Sequence, residues 1–118
     1  MRAGCKIWLY TSHGKAFGQG PLDLLRRVEK TSSLHQAAQQ MGMSYNKAWK
    51  LVQMIEEHLG FSLLEKKVGG VSGGGSRVTP RAKDFLKRYE RFEADAIGAV
   101  EKAYQKHFEN PLREKRGR

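Results

Sequence analysis

The sequence predicts a mainly α-helical fold with a small β wing, and three observations predict it. Apolar residues recur every three to four positions through most of the chain from Leu22 to Phe108. The β-prone stretches are short, at residues 6–10 and on either side of a glycine-rich run at 69–75. Between residues 34 and 53 two short helical patterns follow each other across a three-residue turn. A chain of 118 residues suits a modest core that buries roughly two thirds of its unfolded surface.

Taken in order, residues 6–10 (KIWLY) read as a short strand, with Ile7 and Leu9 on one side and Trp8 and Tyr10 on the other. The turn-rich segment that follows places His13-Gly14-Lys15 at a hairpin tip and lets Phe17 begin a second short strand. Gly20-Pro21 opens the first helix with proline at its first position, where a missing N–H is harmless. Leu22, Leu25 and Val28, helped by Leu24, form its core face, and Thr31-Ser32-Ser33 closes it and caps the next. Leu34, Ala37, Ala38 and Met41 fall at i, i+3, i+4 and i+7, one face of a second helix that Gly42 ends. Met43 anchors the turn and Ser44 is a natural N-cap for a third helix. Ala48, Val52, Ile55 and Leu59 line one face of that helix, while Tyr45, Asn46, Lys47, Lys50 and Gln53 point elsewhere. Trp49 is expected to pack against the preceding helix, with a place on the groove edge as the alternative. The pair is a helix-turn-helix.

After Gly60, residues 63–68 and 76–78 are expected to pair as a hairpin around VGGVSGGGS, which has five glycines among nine residues. A hairpin directly after a recognition helix is a wing. Its glycine-rich tip is narrow and conformationally free, so it can approach a phosphate backbone or enter a minor groove. The basic residues Lys66, Lys67, Arg77, Arg81 and Lys83 cluster around it. A nucleotide-binding P-loop is excluded, since Ser76-Arg77 stands where Lys-Ser/Thr is required and no βαβ unit surrounds it. A plain flexible linker stays open as the alternative.

Thr79-Pro80 starts the last helix, with threonine as N-cap and proline at the first helical position. Ala82, Phe85, Leu86, Tyr89, Phe92, Ala96, Val100, Ala103, Tyr104, His107 and Phe108 then form one apolar seam. The helix spans about 28 residues, or about 42 Å. It outruns a small core, so its simplest partner is the same helix of a second copy, antiparallel about a two-fold axis; folding back on its own domain is the other solution. Dimerisation is expected through Phe85, Tyr89, Phe92, Ala96, Val100 and Tyr104, with Gly98 allowing close approach. Asn110-Pro111 is expected to end the helix and to leave a basic, disordered arm. The expected division is a winged helix-turn-helix domain at 1–79, a long dimerisation helix at 80–109 and the tail at 110–118.

Charge selects among functions. The formal net charge is +10, from 22 Lys and Arg against 12 Asp and Glu, which favours a polyanionic partner. No run of 18 apolar residues and no signal-peptide core occurs, so a cytoplasmic, nucleoid-associated location is expected and membrane binding is not. The single Cys5 cannot form an internal disulfide and is expected buried or at an edge. His13, His35, His58 and His107 lack metal-ligand spacing, and no nucleophile–base set or paired carboxylates appear, so neither metal, cofactor nor enzyme activity is expected. Double-stranded DNA is the expected partner. Asn46 and Gln53 suit bidentate contacts to adenine, Lys47 and Lys50 suit guanine or phosphate, and Tyr45 a thymine methyl or phosphate. Ser33 and the start of its helix are expected to grip a phosphate, and Lys66, Lys67 and Arg77 to supply wing contacts. A non-specific architectural DNA-binding protein is the rival.

With strand, helix, helix-turn-helix, wing and long helix in that order, the chain resembles the N-terminal DNA-binding region of the molybdate-responsive ModE family, which belongs with the LysR-type winged helix-turn-helix regulators. AAQQMGMSYNKAWKLV (37–52), the glycine wing (69–75) and VTP (78–80) carry the match. The resemblance implies a homodimeric regulator that binds an inverted repeat with Ser44, Tyr45, Asn46, Lys47, Lys50 and Gln53 toward the major groove. The sequence stops at Arg118, so the C-terminal molybdate-binding domains of full-length members are expected to be absent, and the chain resembles a stand-alone DNA-binding half.

Overall fold

The structure, a computed structural model, describes residues 1–67 and 75–109. Its elements run β1 (Leu9–Thr11), β2 (Gly14–Phe17), α1 (Gln19–Thr31), α2 (Leu34–Gln40), α3 (Tyr45–Leu59), β3 (Leu64–Lys67), β4 (Gly75–Val78) and α4 (Pro80–Tyr104), followed by a π-helical turn at Gln105–Glu109. Two compact units result, one formed by Trp8–Lys87 and the other by Met1–Ile7 with the chain from Arg88 onward.

The first hairpin is shorter than the sequence pattern suggests. β1 starts at Leu9 rather than at residue 6, and Phe17 ends β2 instead of beginning it. Gly14, at φ 117°, makes the tight turn that sets Thr11 opposite Gly14 and Tyr10 opposite Lys15. The earlier residues have other partners. The Ile7 carbonyl accepts the Tyr89 hydroxyl at 2.8 Å, and Trp8 lays its ring against Gly18, where a Cβ would overlap it. Cys5, expected buried or at an edge, is exposed.

α1 begins at Gln19 with Gly18 as N-cap, so Pro21 is its third residue and not its first. The misplacement costs nothing, because the first four N–H groups of a helix lack intrahelical acceptors. Leu22, Leu24, Leu25 and Val28 are buried as expected. Ser32 ends α1 in the left-handed region at φ 58°, and Ser33 caps α2 by accepting the Gln36 N–H at 3.0 Å.

The turn between α2 and α3 closes by two backbone bonds, Gly42 N–H to the Gln39 carbonyl and Met43 N–H to the Ala38 carbonyl, each 3.0 Å. This double closure needs a left-handed residue, and Gly42 supplies it at φ 71°. Ser44 then caps α3 by accepting the Lys47 N–H at 3.1 Å. Ala37, Ala38 and Ala48 are fully buried, as a close crossing of two helices requires. After α3, the Glu56 carboxylate accepts the Leu63 N–H at 2.7 Å and steers the chain into β3. β3 and β4 pair antiparallel, with Leu64 opposite Val78 and Lys67 opposite Gly75. The expected wing tip lies outside the described residues.

The core of this unit is apolar throughout. Phe17, Leu24, Leu25, Val28, Val52, Ile55, Leu63, Val78 and Leu86 are all essentially inaccessible, and each such side chain contributes about 1.5–3 kcal/mol by burial. Thr79 caps α4, accepting the Ala82 N–H at 3.1 Å and donating to the Ser62 carbonyl at 2.7 Å. Phe85 packs edge-on to Phe17 at 4.9 Å between ring centres.

Along the rest of α4 the seam divides. Tyr89 is 2 % exposed, whereas Phe92 is 48 % and Ile97 45 % exposed. Tyr104 donates to the Met1 carbonyl at 2.8 Å and stacks on Phe108 at 5.6 Å. Phe85 and Tyr89, expected at a dimer seam, are therefore used within the chain, by an aromatic contact and by burial respectively. The helix reaches Tyr104 as α and Glu109 as π; the expected stop at Asn110-Pro111 lies outside the described residues, as does the basic tail.

Candidate nucleic-acid interface

α3 presents its polar side chains outward because its apolar period leaves them nowhere else. With Ala48, Val52 and Ile55 buried, Ser44, Tyr45, Asn46, Lys47, Lys50 and Gln53 are all exposed. Trp49 joins them. Of its two expected places, packed on the preceding helix or at the groove edge, the exposed one holds: it is 41 % exposed, while the buried positions of α3 are Ala48, Val52 and Ile55. Tyr45 stacks on His35 of α2, ring centres 5.7 Å apart and planes 26° from parallel. This contact holds the first residue of α3 against the first turn of α2.

The wing root is tied to the same corner from the other side. Ser76 N–H donates to the Ser32 carbonyl at 3.0 Å, and Lys67 Nζ lies 3.4 Å from Ser32 Oγ. Gly75 makes this approach possible, because a Cβ there would overlap the Ser32 carbonyl oxygen. Residues 32–35 thus join the wing root, through Ser32, to the start of α3, through His35. Ser33 sits in the middle of that link with its oxygen engaged by Gln36 N–H.

Charge on these elements is unevenly committed. On α1, Arg27 pairs with Asp23 at 2.9 Å and Arg26 with Glu29 at 2.6 Å. Lys47, Lys50 and Lys66 are exposed and make no ion pair among the described residues. Arg77 differs from them: its Nε lies 3.1 Å from Glu65 directly across the β3–β4 ladder. The pair is exposed, and such pairs contribute little, so Arg77 can exchange its partner for a phosphate at small cost. Arg81, another member of the basic cluster, covers the Phe61 ring at 4.6 Å.

Three contributors escaped the sequence reading. Ser32 and Gly75 act through a contact between residues 43 apart, and His35 through a ring stack across the turn; neither leaves a local pattern. Glu65 opposite Arg77 was legible in principle, by counting the ladder outward from Leu64 and Val78. Among the described residues no group of three His, Cys, Asp or Glu side chains is placed to hold a metal, and no helix is long and apolar enough to cross a membrane.

Comparison with known proteins agrees with the geometry. Residues 21–83 match the model for the bacterial regulatory helix-turn-helix protein, lysR family, covering α1 through the start of α4. The chain is 38 % identical over 63 residues to the molybdenum transport protein ModE of Herbaspirillum seropedicae, covering 53 % of this chain and 23 % of that protein. It is 32 % identical over 81 residues to the molybdenum-pterin-binding protein MopB of Rhodobacter capsulatus, covering 69 % and 30 %. With the transcriptional regulator ModE of Haemophilus influenzae the identity is 33 % over 70 residues, covering 59 % and 28 %. The aligned part thus spans about a quarter to a third of the length of these curated relatives.

Proposed function

The chain belongs to the lysR family of bacterial regulatory helix-turn-helix proteins, with ModE-like similarity across that region, and from this premise we propose that it is a sequence-specific, homodimeric DNA-binding transcriptional regulator. What carries the proposal is the exposed face of α3, tied through residues 32–35 to the wing root, where Lys47 and Lys50, in no ion pair among the described residues, stand beside uncharged hydrogen-bonding side chains. Phosphate contacts fix a protein on the duplex but read no sequence. Asn46 and Gln53 can read it, because a side-chain amide matches the donor–acceptor pair on the adenine edge.

In this account α3 enters the major groove with its first turns at the base edges, where Tyr45, Asn46, Lys47, Trp49, Lys50 and Gln53 lie. Ser33, Lys66, Lys67 and Arg77 contact the flanking backbone, and the glycine-rich wing lies on backbone or in the minor groove. Two copies associate antiparallel through the outer half of the α4 seam, with Phe92 and Ala96 of one copy facing Tyr104 and Val100 of the other about a two-fold axis near Gly98. A two-fold dimer of this kind requires an operator with inverted symmetry. The site of action is the cytoplasmic nucleoid. The test is to retain fragmented genomic DNA on the protein at about 150 mM salt, where screening weakens non-specific contacts, and sequence what stays bound. A small set of fragments sharing an inverted repeat supports the proposal. Even coverage without a shared motif replaces it with an architectural role.

A further inference from the structure

At the wing root, Ser32, Lys67, Ser76, Arg77, Lys83 and Glu29 line a cleft of about 170 Å³. Val28 and Val78, both fully buried, complete its lining. The four contributing elements are the C-terminal end of α1, both wing strands and the first turn of α4, so donors converge on the cleft from several sides.

The charges around it do not cancel. Glu29 is held 2.6 Å from Arg26, and Arg77 3.1 Å from Glu65, so those two charges are offset by neighbours. Lys67 and Lys83 make no ion pair among the described residues. Two ammonium groups facing one cleft repel each other, and a single bound anion converts that repulsion into two attractions. The Ser32 carbonyl already accepts the Ser76 N–H at 3.0 Å, and Glu29, the one acidic side chain in the lining, has an oxygen held by Arg26. The two serine hydroxyls add donors. Lys67 Nζ meets Ser32 Oγ at 3.4 Å, a long contact that leaves its other protons available.

We propose that this cleft binds a tetrahedral oxyanion, with Lys67 and Lys83 supplying charge and Ser32 and Ser76 supplying hydroxyl donors. Planar carboxylates and halides use such an arrangement less well, since a tetrahedral group turns an oxygen toward each donor. The volume admits it easily, a water molecule's share of the liquid being about 30 Å³. The oxyanion is either a phosphate of the DNA backbone or a free inorganic anion. In the first case the inference rests on the DNA-binding proposal; in the second it does not.

Lys83→Gln separates these sources. Inorganic phosphate titrated into the isotopically labelled protein, against potassium chloride at matched ionic strength, is expected to shift the amide signals of Ser32, Ser76 and Lys83 saturably. The shifts should vanish in Lys83→Gln. If DNA is the source, the slope of log affinity against log salt becomes shallower by about 0.9 per protomer in Lys83→Gln, the release expected for one lost phosphate contact. An unchanged slope with saturable phosphate shifts assigns the cleft to a free oxyanion. No phosphate-specific shifts in the wild-type protein, together with an unchanged slope, overturns the proposal. Failure of the wild-type protein to bind any DNA overturns the DNA-binding account instead and leaves the titration to decide the cleft alone.

Discussion

Gly75→Ala perturbs the fold at the point where the wing meets the helix-turn-helix. A Cβ at residue 75 would overlap the Ser32 carbonyl oxygen, which also accepts the Ser76 N–H at 3.0 Å. Both partners are backbone, so no side-chain rotation relieves the clash; β4 must move away from the corner at the end of α1. Losing the hydrogen bond costs about 1 kcal/mol net, and forcing extra volume into a packed contact costs about 1–3 kcal/mol. The sum is about 2–4 kcal/mol. For a domain of this size each kcal/mol lowers the melting temperature by about 4–8 °C, so a drop of at least about 8 °C is expected by calorimetry or circular dichroism. Gly20→Ala is the matched control. Gly20 lies in the first turn of α1 with open space around it and no positive φ, so alanine there is neutral or stabilising by up to about 1 kcal/mol. A Gly75→Ala protein that melts with the wild type would refute the claim that this glycine is required by close approach rather than by a mobile wing.

The divided seam on α4 gives a second test. Phe92→Glu combined with Val100→Glu is expected to leave the fold intact and give monomers by light scattering, because Phe92 is exposed and Val100 half-buried. Phe85→Glu should instead lower the melting temperature, since Phe85 packs on Phe17. Tyr89→Phe removes the bond to the Ile7 carbonyl and should cost about 1 kcal/mol. Burial, with the nearby Glu93 carboxylate adding to it, raises the Tyr89 hydroxyl pKa above the usual tyrosine value of 10.0. The folded state therefore holds this proton more tightly than the unfolded chain. Its contribution to stability is fully present below pH 10 and is lost as pH rises through the raised pKa. Urea titrations across that range should show a steeper alkaline loss in the wild type than in Tyr89→Phe.

The helices were legible because their signals are local. A buried face repeats every three to four residues, and a serine or threonine cap reaches an N–H only three residues ahead, so Ser33, Ser44, Thr79 and Gly42 could be placed from neighbours alone. The first hairpin and its turn at Gly14 were legible too, but the start of its first strand was not, because it is decided at a distance. Tyr89 takes the Ile7 carbonyl and Gly18 receives the Trp8 ring, and both contacts remove residues from a strand that alternation alone would extend. Trp49 shows a related limit. A tryptophan is highly buried on average, yet Trp49 is 41 % exposed beside the fully buried Ala48, and residue type alone does not decide that. The exposed polar face of α3 followed from its buried face by elimination. The Ser32–Gly75 junction, which ties the wing root to the end of α1, had no counterpart in the local pattern.

In the proposed function the exposed face of α3 reads bases rather than holding phosphates alone. The most direct test compares wild type with the Lys50→Ala, Gln53→Ala double variant by fluorescence anisotropy, on a DNA fragment selected by the wild type and on a scrambled duplex of equal length at the same salt. Each lost bidentate base contact costs about 1–3 kcal/mol of discrimination, so affinity for the selected fragment should fall by at least about 30-fold, with only a minor loss on the scrambled duplex. Equal losses on both would show that these side chains serve the backbone alone and would contradict the account.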